Sequence, residues 1–314
     1  MGKRGPQRGS HSYWHRSRAQ RKVARIRTWN PVGKGLAGFA GYKAGMASAF
    51  MVDDSATPTE GQEIVVPVTV LEVPPMFVYS VVAYGKEMFG FKAIGESVAT
   101  TVPKQLKRAI PVAKKSKASL DDLAAKNPVE YRVIAFTQPF KAGFGQKTPD
   151  VMEIALAGTP AEQLEYAKSV LGKEVKASDV LQLGEFLDTI AVTKGKGWQG
   201  IVKRFGVALG FHKSTQSRRH GGSIGGERQA KVMYTIPRAG QMGFHRRTDF
   251  NKRVLYLSTD STNLPQAYRF YGVVKNEFLV LRGSIPGPAK RLVRLRRTLS
   301  RRQGNVKAPQ VRFQ

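Results

Sequence analysis

The chain has 314 residues, with 52 Lys and Arg against 22 Asp and Glu, five His, no Cys and a formal net charge of +30. That balance points to a polyanionic partner, while a hydrophobic fraction of 41% belongs to a globular protein and not to a disordered basic tail. The missing cysteines exclude disulfides, Cys-ligated zinc or iron–sulfur sites and a Cys nucleophile. No apolar run reaches the roughly 18 residues of a membrane span and the basic start lacks a secretory signal, so a soluble cytosolic protein is expected.

The first 52 residues hold 11 Lys and Arg and no acid. Gly5, Pro6, Gly9 and Ser10 break any helix and leave an extended basic arm over residues 1–37. In it, His11, Tyr13, Trp14 and His15 are interleaved with Lys3, Arg4, Arg8, Arg16, Arg18, Arg21, Lys22 and Arg25. A basic membrane-surface segment would carry an apolar helical stripe, which the arm lacks. Aromatic and guanidinium planes stack on unpaired bases, so the arm favours structured RNA over duplex DNA.

A β-rich body is predicted over residues 38–285. Its first strands are expected over 64–73, 76–85 and 131–136, each rich in Val, Ile, Phe and Tyr and bounded by Gly, Pro or Asn. Two helices interrupt them. Ser119 and Asp122 start a short helix that Asn127 and Pro128 stop. Thr159 caps a longer one, with Pro160 in the first helical position, Glu162 completing a capping box and Gly172 at the end. Residues 120–190 carry 11 acids against seven bases, so a helical, acidic insertion over about 97–180 is expected to face solvent or a basic neighbour. A further strand spans 186–193.

From residue 195 to 243 the body pattern gives way to a Gly- and Arg-rich excursion that leaves one strand and returns before the next, an internal finger. Residues 194–253 hold 14 Lys and Arg against Glu227 and Asp249. The candidate RNA contacts here are Lys194, Lys196, Trp198, Lys203, Arg204, His212, Lys213, Arg218, Arg219, His220, Arg228, Lys231, Arg238, Gln241, His245, Arg246 and Arg247. Strands over 253–259, 271–276 and 278–285 complete the body. Beyond Glu277 there are ten basic residues and no acid, and residues 286–314 read as a basic tail with Lys290, Arg291, Arg294, Arg296 and Arg297 as further contacts. Arm, finger region and tail together hold more than the whole positive excess. The fold class is mainly β with an α insertion, and a small closed barrel is expected because the strands are short and numerous.

Catalytic readings fail on their own terms. Gly195, Gly197 and Gly200 match G-x-G-x-x-G, but a dinucleotide turn needs an acid about 20 residues on, and none appears until Glu227. A tight turn with close backbone approach to phosphate is the better reading. His212, His220 and His245 sit among Lys and Arg, whose field disfavours a metal cation, and no acid accompanies His11 and His15. Asp53 with Asp54, and Asp121 with Asp122, occupy turn and helix-start contexts. No Ser lies in a nucleophile elbow. No cofactor, metal or small-molecule substrate is expected; an RNA-modifying enzyme and an architectural chromatin protein are the alternatives.

The stretch LQLGEFLDTIAVTKGKGWQGIVKR resembles the signature of the large-subunit ribosomal protein L3 family in its archaeal and eukaryotic form. Leu181, Asp188, Ala191, Thr193, Gly195, Lys196, Gly197, Gly200 and Arg204 stand at the matching positions. GFAGYKAGM (38–46), RAGQMGFHRRT (238–248) and YGVVKNEFLVLRGSIPGPAKRLVRLR (271–296) are similar to other family segments. The resemblance implies a six-stranded barrel of the translation-protein kind, with the arm and a finger over about 211–238 penetrating ribosomal RNA towards the peptidyl transferase centre. It also implies early subunit assembly, neighbouring ribosomal proteins as partners, and indirect effects on tRNA and translation factors. At the tip, residues 222–229, the chain reads GSIGGERQ, with Glu227 and Arg228 where those family members carry a Trp.

Overall fold

A computed structural model describes residues 16–30, 32–113, 118–225, 232, 236–260, 264–265, 267–299 and 308–313. It divides into two compact units, one formed by Met1–Arg21 with Val192–Arg246 and a larger one formed by Lys22–Ala191 with Arg247–Gln314. In chain order come β1 (Gly35–Leu36), β2 (Gly38–Val52), β3 (Glu63–Glu72), β4 (Met76–Glu87), β5 (Gly90–Val98), α1 (Leu120–Ala124), β6 (Glu130–Phe136) and β7 (Val151–Ala157). These are followed by α2 (Pro160–Val170), β8 (Glu174–Val175), β9 (Phe186–Val192), β10 (Gly195–Gln199), α3 (Ile201–Phe205) and β11 (Gly240–Gly243). The last four are β12 (Arg246–Ser258), β13 (Phe278–Arg282), β14 (Leu292–Arg297) and β15 (Val311–Phe313).

The larger unit holds two sheets. One runs β14-β9-β12-β13-β3-β2-β15, and because β14 also pairs with β2, six of its strands form a closed hydrogen-bonded ring. The long β2 takes β14 alongside Gly38–Tyr42 and β15 alongside Ala49–Met51 on the same edge. The other sheet runs β1-β7-β6-β4-β5, with β8 also on β4. Both sheets feed one apolar core, which joins Phe39, Tyr42, Val70, Leu279, Val293 and Leu295 of the ring to Val78, Val133 and Ile154 of the second sheet. A strand buried on both faces reads as a continuous apolar run, which is why Met76 to Val82 in β4 contains almost no polar side chain.

Both capping boxes form. The Ser119 Oγ accepts from the Asp122 amide at 3.1 Å and the Asp122 carboxylate accepts from the Ser119 amide at 2.9 Å. The Thr159 amide donates to Glu162 at 2.9 Å, and Gly172 adopts φ +76° just beyond α2.

The insertion is not helical in the main. Between residues 97 and 180 the chain contributes β6, β7 and β8 to the second sheet, and α2 is tied to them. Buried Gln163 on α2 accepts from the Tyr131 amide at 2.8 Å and donates to the Leu156 carbonyl at 3.1 Å. Residues 271–276 are no strand, because the Lys275 and Asn276 amides turn instead to the Glu72 carboxylate. The strand expected over 253–259 starts earlier, at Arg246. The segment read as a basic tail contains β14, whose Leu292, Val293 and Leu295 are buried between β2 and β9, and β15.

Asp188 is the polar centre of the ring. Its carboxylate, with no exposed side-chain surface, accepts from Arg296 at 2.8 Å and from the Asn251 amide at 3.2 Å. Asp188→Ala leaves a buried guanidinium without its counter-ion, so the variant should lose about 3–5 kcal/mol of unfolding free energy in urea titration; a loss below about 1 kcal/mol would contradict this account. A milder effect belongs to Glu162. The Thr159 amide, and after it Lys34 at 3.0 Å, hold its carboxylate down at about 2 against an ordinary 4.5. Its contribution is therefore complete above pH 4.5 and is lost as pH falls towards 2. The unfolding midpoint of Glu162→Gln should lie below wild type at pH 6 and converge with it near pH 2, and a gap that stays constant across that range would show the cap contributes nothing.

Candidate nucleic-acid interface

In the smaller unit β10 and β11 pair antiparallel, with Gly195 opposite Gly243, Trp198 opposite Gln241, Gln199 opposite Gly240 and a register shift between Gly195 and Trp198. The Gly195, Gly197 and Gly200 motif is therefore a bulged strand running into the five-residue α3, not the tight turn expected of it. Gly243 sits at φ +73° where any Cβ would collide with the Lys194 carbonyl oxygen, so the base of the excursion admits only glycine there.

Arg204 clasps that base. Its Nη1 donates to the Arg238 carbonyl at 2.8 Å and its Nε to the Gln241 carbonyl at 3.1 Å. Arg16 lies over the Phe205 ring at 4.2 Å and donates to the Arg204 carbonyl at 3.3 Å. Burial and then the Arg204 charge pull its guanidinium below the ordinary value. The Gln241 amide donates to the Met242 and Gly243 carbonyls at 3.2 and 3.0 Å. Buried His245 lies 2.8 Å from the Ser17 carbonyl through Nδ1 and donates its backbone amide to Thr193 Oγ1 at 3.2 Å. These four expected contacts thus hold the unit together from within.

The other candidates of this unit stand on the surface. Arg18, Arg21, Lys194, Lys196, Lys203, His212, Lys213, Arg218, Arg219, His220, Arg238 and Arg246 are exposed. Trp198 projects from β10 with 77% of its surface exposed, and Phe211, at 67%, lies beside His212 with ring centroids 4.2 Å apart and the planes tilted by 45°. Phe211 is absent from the residues picked out by charge, although an aromatic abutting a basic run is the signal that singled out Trp14. The Gly210 amide bonds the Arg218 carbonyl at 2.8 Å, closing residues 210–218 into a loop that carries these side chains. Lys3, Arg4, Arg8, His11, Trp14, His15, Arg228 and Lys231 lie outside the described residues, as does half of the expected tip, 226–229.

In the larger unit Lys22, Arg25 and Lys290 are exposed and Arg247 and Arg291 half-buried; Arg27, also exposed, was not among the candidates. Lys22, Lys290 and Arg291 line a cleft of about 250 Å³ together with Gln146 and Asp150. The arginines of β14 face inward. Arg294 is buried, lies over Trp29 and donates to the Ala24 and Glu153 carbonyls, and burial pulls its guanidinium down to about 10. Arg296 binds Asp188 and, at 2.7 Å, the Thr28 carbonyl. Arg297 meets Glu185 at 3.2 Å and donates to the Val180 carbonyl at 3.1 Å. Residues 24–30, read as free arm, are therefore docked, with Ala24, Ile26 and Asn30 buried. The face of β14 that carries Arg294 and Arg296 is covered by this segment, so it offers those cations no solvent.

The carboxylates are likewise engaged. Asp53 accepts from the hydroxyls of Ser55, Thr57 and Thr59, which hold it well below the usual carboxylate range, and Asp54 pairs with Arg253. Among the described residues no group of three metal-ligating side chains is found, and no described helix is long and apolar enough to cross a membrane.

Exposed cations and planar rings on β10, α3 and the 210–218 loop of the smaller unit make a surface suited to lie against a polyanion. Over residues 1–314 the sequence matches the family described as Ribosomal protein L3. It is 42% identical to the large ribosomal subunit protein uL3 of Methanothermobacter thermautotrophicus over 98% of this chain and 96% of that one. It is 44% identical to the uL3 proteins of Methanococcus vannielii, over 100% and 97%, and Methanothrix thermoacetophila, over 98% and 96%. The chain belongs to the ribosomal protein L3 family.

Arg204 gives this site its test. Arg204→Met keeps the apolar stem and loses both carbonyl bonds, so limited proteolysis within residues 206–240 should speed up about tenfold, the effect of one to two charge-assisted bonds on local opening. The unfolding midpoint of the larger unit should not move. Cleavage at the wild-type rate would show that Arg204 is no clasp.

Proposed function

We propose that this protein is a structural constituent of the large ribosomal subunit in the cytoplasm, binding large-subunit ribosomal RNA through its exposed cations and rings. The observation that carries this reading is the family match from the first residue to the last, together with the segregation of charge along the chain. The closed ring of β2, β3, β13, β12, β9 and β14 is the six-stranded translation-protein barrel of the family. Residues 1–21 form the arm and residues 211–238 the finger, and both penetrate RNA towards the peptidyl transferase centre, where they shape the aminoacyl-tRNA entry corridor and support early assembly. Lys196, Lys203, Lys213, Arg218 and Arg219 meet phosphate, and Trp198 with Phe211 and His212 stack on bases. The acidic stretch 120–190 faces a basic neighbouring ribosomal protein. Arg16, Arg204, Arg294, Arg296 and Arg297 act in the fold, one step removed from RNA.

The protein should co-sediment stoichiometrically with large subunits in a sucrose gradient. Its affinity for large-subunit RNA should fall linearly on a log–log salt plot, by roughly 0.7 to 0.9 per phosphate neutralised. Deleting residues 211–238 should lower that slope by two or more while leaving cooperative unfolding of the larger unit intact. A shallow wild-type slope, or absence from large subunits, would remove this reading.

A further inference from the structure

Residues 261–276 lie between β12 and β13, outside the arm, the finger and the tail, and contain Arg269 and Lys275 but no acid. Within them the chain makes a closed turn. The Tyr268 amide donates to the Gly272 carbonyl and the Gly272 amide to the Tyr268 carbonyl, both at 2.9 Å, and the Tyr271 amide returns to the Tyr268 carbonyl at 3.1 Å. At its apex Phe270 has φ +68° and 72% of its surface exposed. The Arg269 guanidinium lies over its ring, 4.8 Å from the centroid.

Among the described residues, no burial accounts for a phenylalanine there. The left-handed region disfavours a bulky side chain and suits glycine, and an exposed ring gains nothing from burial. A residue kept in such a conformation points to a use outside the fold.

The support beneath the turn is rigid. Tyr268 is buried against Gly45, where a Cβ would collide with its ring. The Tyr271 ring packs 5.3 Å from Phe144, which in turn lies 4.8 Å from Tyr42. Behind the turn the fully buried Glu72 carboxylate accepts from the Tyr271 hydroxyl, from the Lys275 amide at 3.0 Å, and from the Asn276 amide and side chain at 2.9 and 2.6 Å. A carboxylate inside the core that spends its lone pairs on one loop fixes where that loop's apex points.

We propose that Arg269 and Phe270 form a stacking platform for an unpaired base of structured RNA: the outer face of the ring receives the base, and the guanidinium behind it supplies the charge. The platform makes no hydrogen-bond readout, so it accepts any base, since every base presents a π-face. A protein pocket is the poorer match, because the acid-free segment and its two cations complement a polyanion. The inference rests on the ribosomal RNA reading above and adds a contact that the charge distribution does not mark.

Stacking and phosphate contacts differ in salt dependence, which makes them separable. Full-length wild type, Phe270→Gly and Phe270→Tyr would be titrated against transcribed large-subunit RNA at several salt concentrations, with urea unfolding of each. Phe270→Gly should bind about tenfold more weakly with an unchanged log–log salt slope, and should unfold at an equal or higher urea concentration. Phe270→Tyr should bind within about twofold of wild type, because its ring stacks equally well. Wild-type affinity in Phe270→Gly would overturn the platform while leaving the RNA reading intact, as would weaker binding with a slope reduced by one phosphate. Ultraviolet cross-linking of large subunits that joins Phe270 to a protein would overturn it too. No salt-dependent binding by wild type would remove the RNA reading itself.

Discussion

Arginine groups on a single six-residue strand decide how this molecule is put together. Arg294, Arg296 and Arg297 of β14 each bring a guanidinium in among the packed elements and tie it to several of them: the Ala24 and Thr28 carbonyls of the docked N-terminal segment, Asp188 of β9, Glu153 of β7, and Glu185 and Val180 ahead of β9. Burying a guanidinium without such partners costs several kcal/mol, so strand and partners stand or fall together. A guanidinium suits this task better than an ammonium because its planar fork can address a carbonyl and a carboxylate at once.

The partition explains how one chain carries a net +30 and still folds. Cations in the core are neutralised or solvated by backbone carbonyls, whereas most of the others stand at the surface, where water screens their mutual repulsion. On the proposed reading, phosphate contacts of the exposed set and base stacking by Trp198, Phe211 and Phe270 are separate contributions: the first carries the salt dependence, and the second adds affinity with no choice among bases.

Much of the fold was legible because local chemistry was decisive. The Thr159, Pro160 and Glu162 series and the Ser119 and Asp122 pair describe helix starts that need no tertiary information. The apolar runs of β3, β4, β6 and β9 likewise declare themselves. β14 was not legible: LVRLRR alternates charge with apolar residues as a half-exposed strand or a basic tail would, and only the placement of Asp188, Glu185 and the residue 24–30 carbonyls shows that its cations have somewhere to go. β2 was hidden for the opposite reason, since Gly38, Gly41, Ala44, Gly45 and Ala47 give no β signal of their own. Residues 271–276 look like a strand because YGVVKN is β-branched and apolar, but the buried Glu72 outcompetes any neighbouring strand for two of their amides. Charge density also overstated the site: it could not separate Arg204, a clasp, from Lys203, its exposed neighbour, and it passed over Phe211 and Phe270, which are not charged.

The docked N-terminal segment shows why arginine had to do this work. Residues 1–52 contain no acid, so the segment has no carboxylate with which to accept from a cation of the body. Its backbone carbonyls are the acceptors it still has in number. Anchoring the segment to the body therefore requires donors that reach from the body to main-chain oxygen, and Arg294 and Arg296 provide them at Ala24 and Thr28, with the Asn30 side chain donating to the Thr298 carbonyl at 2.6 Å as the reverse link. Within the larger unit those body-borne donors hold residues 24–30, whereas Arg16 and Ser17 are held within the smaller unit, through the Arg204 carbonyl and His245.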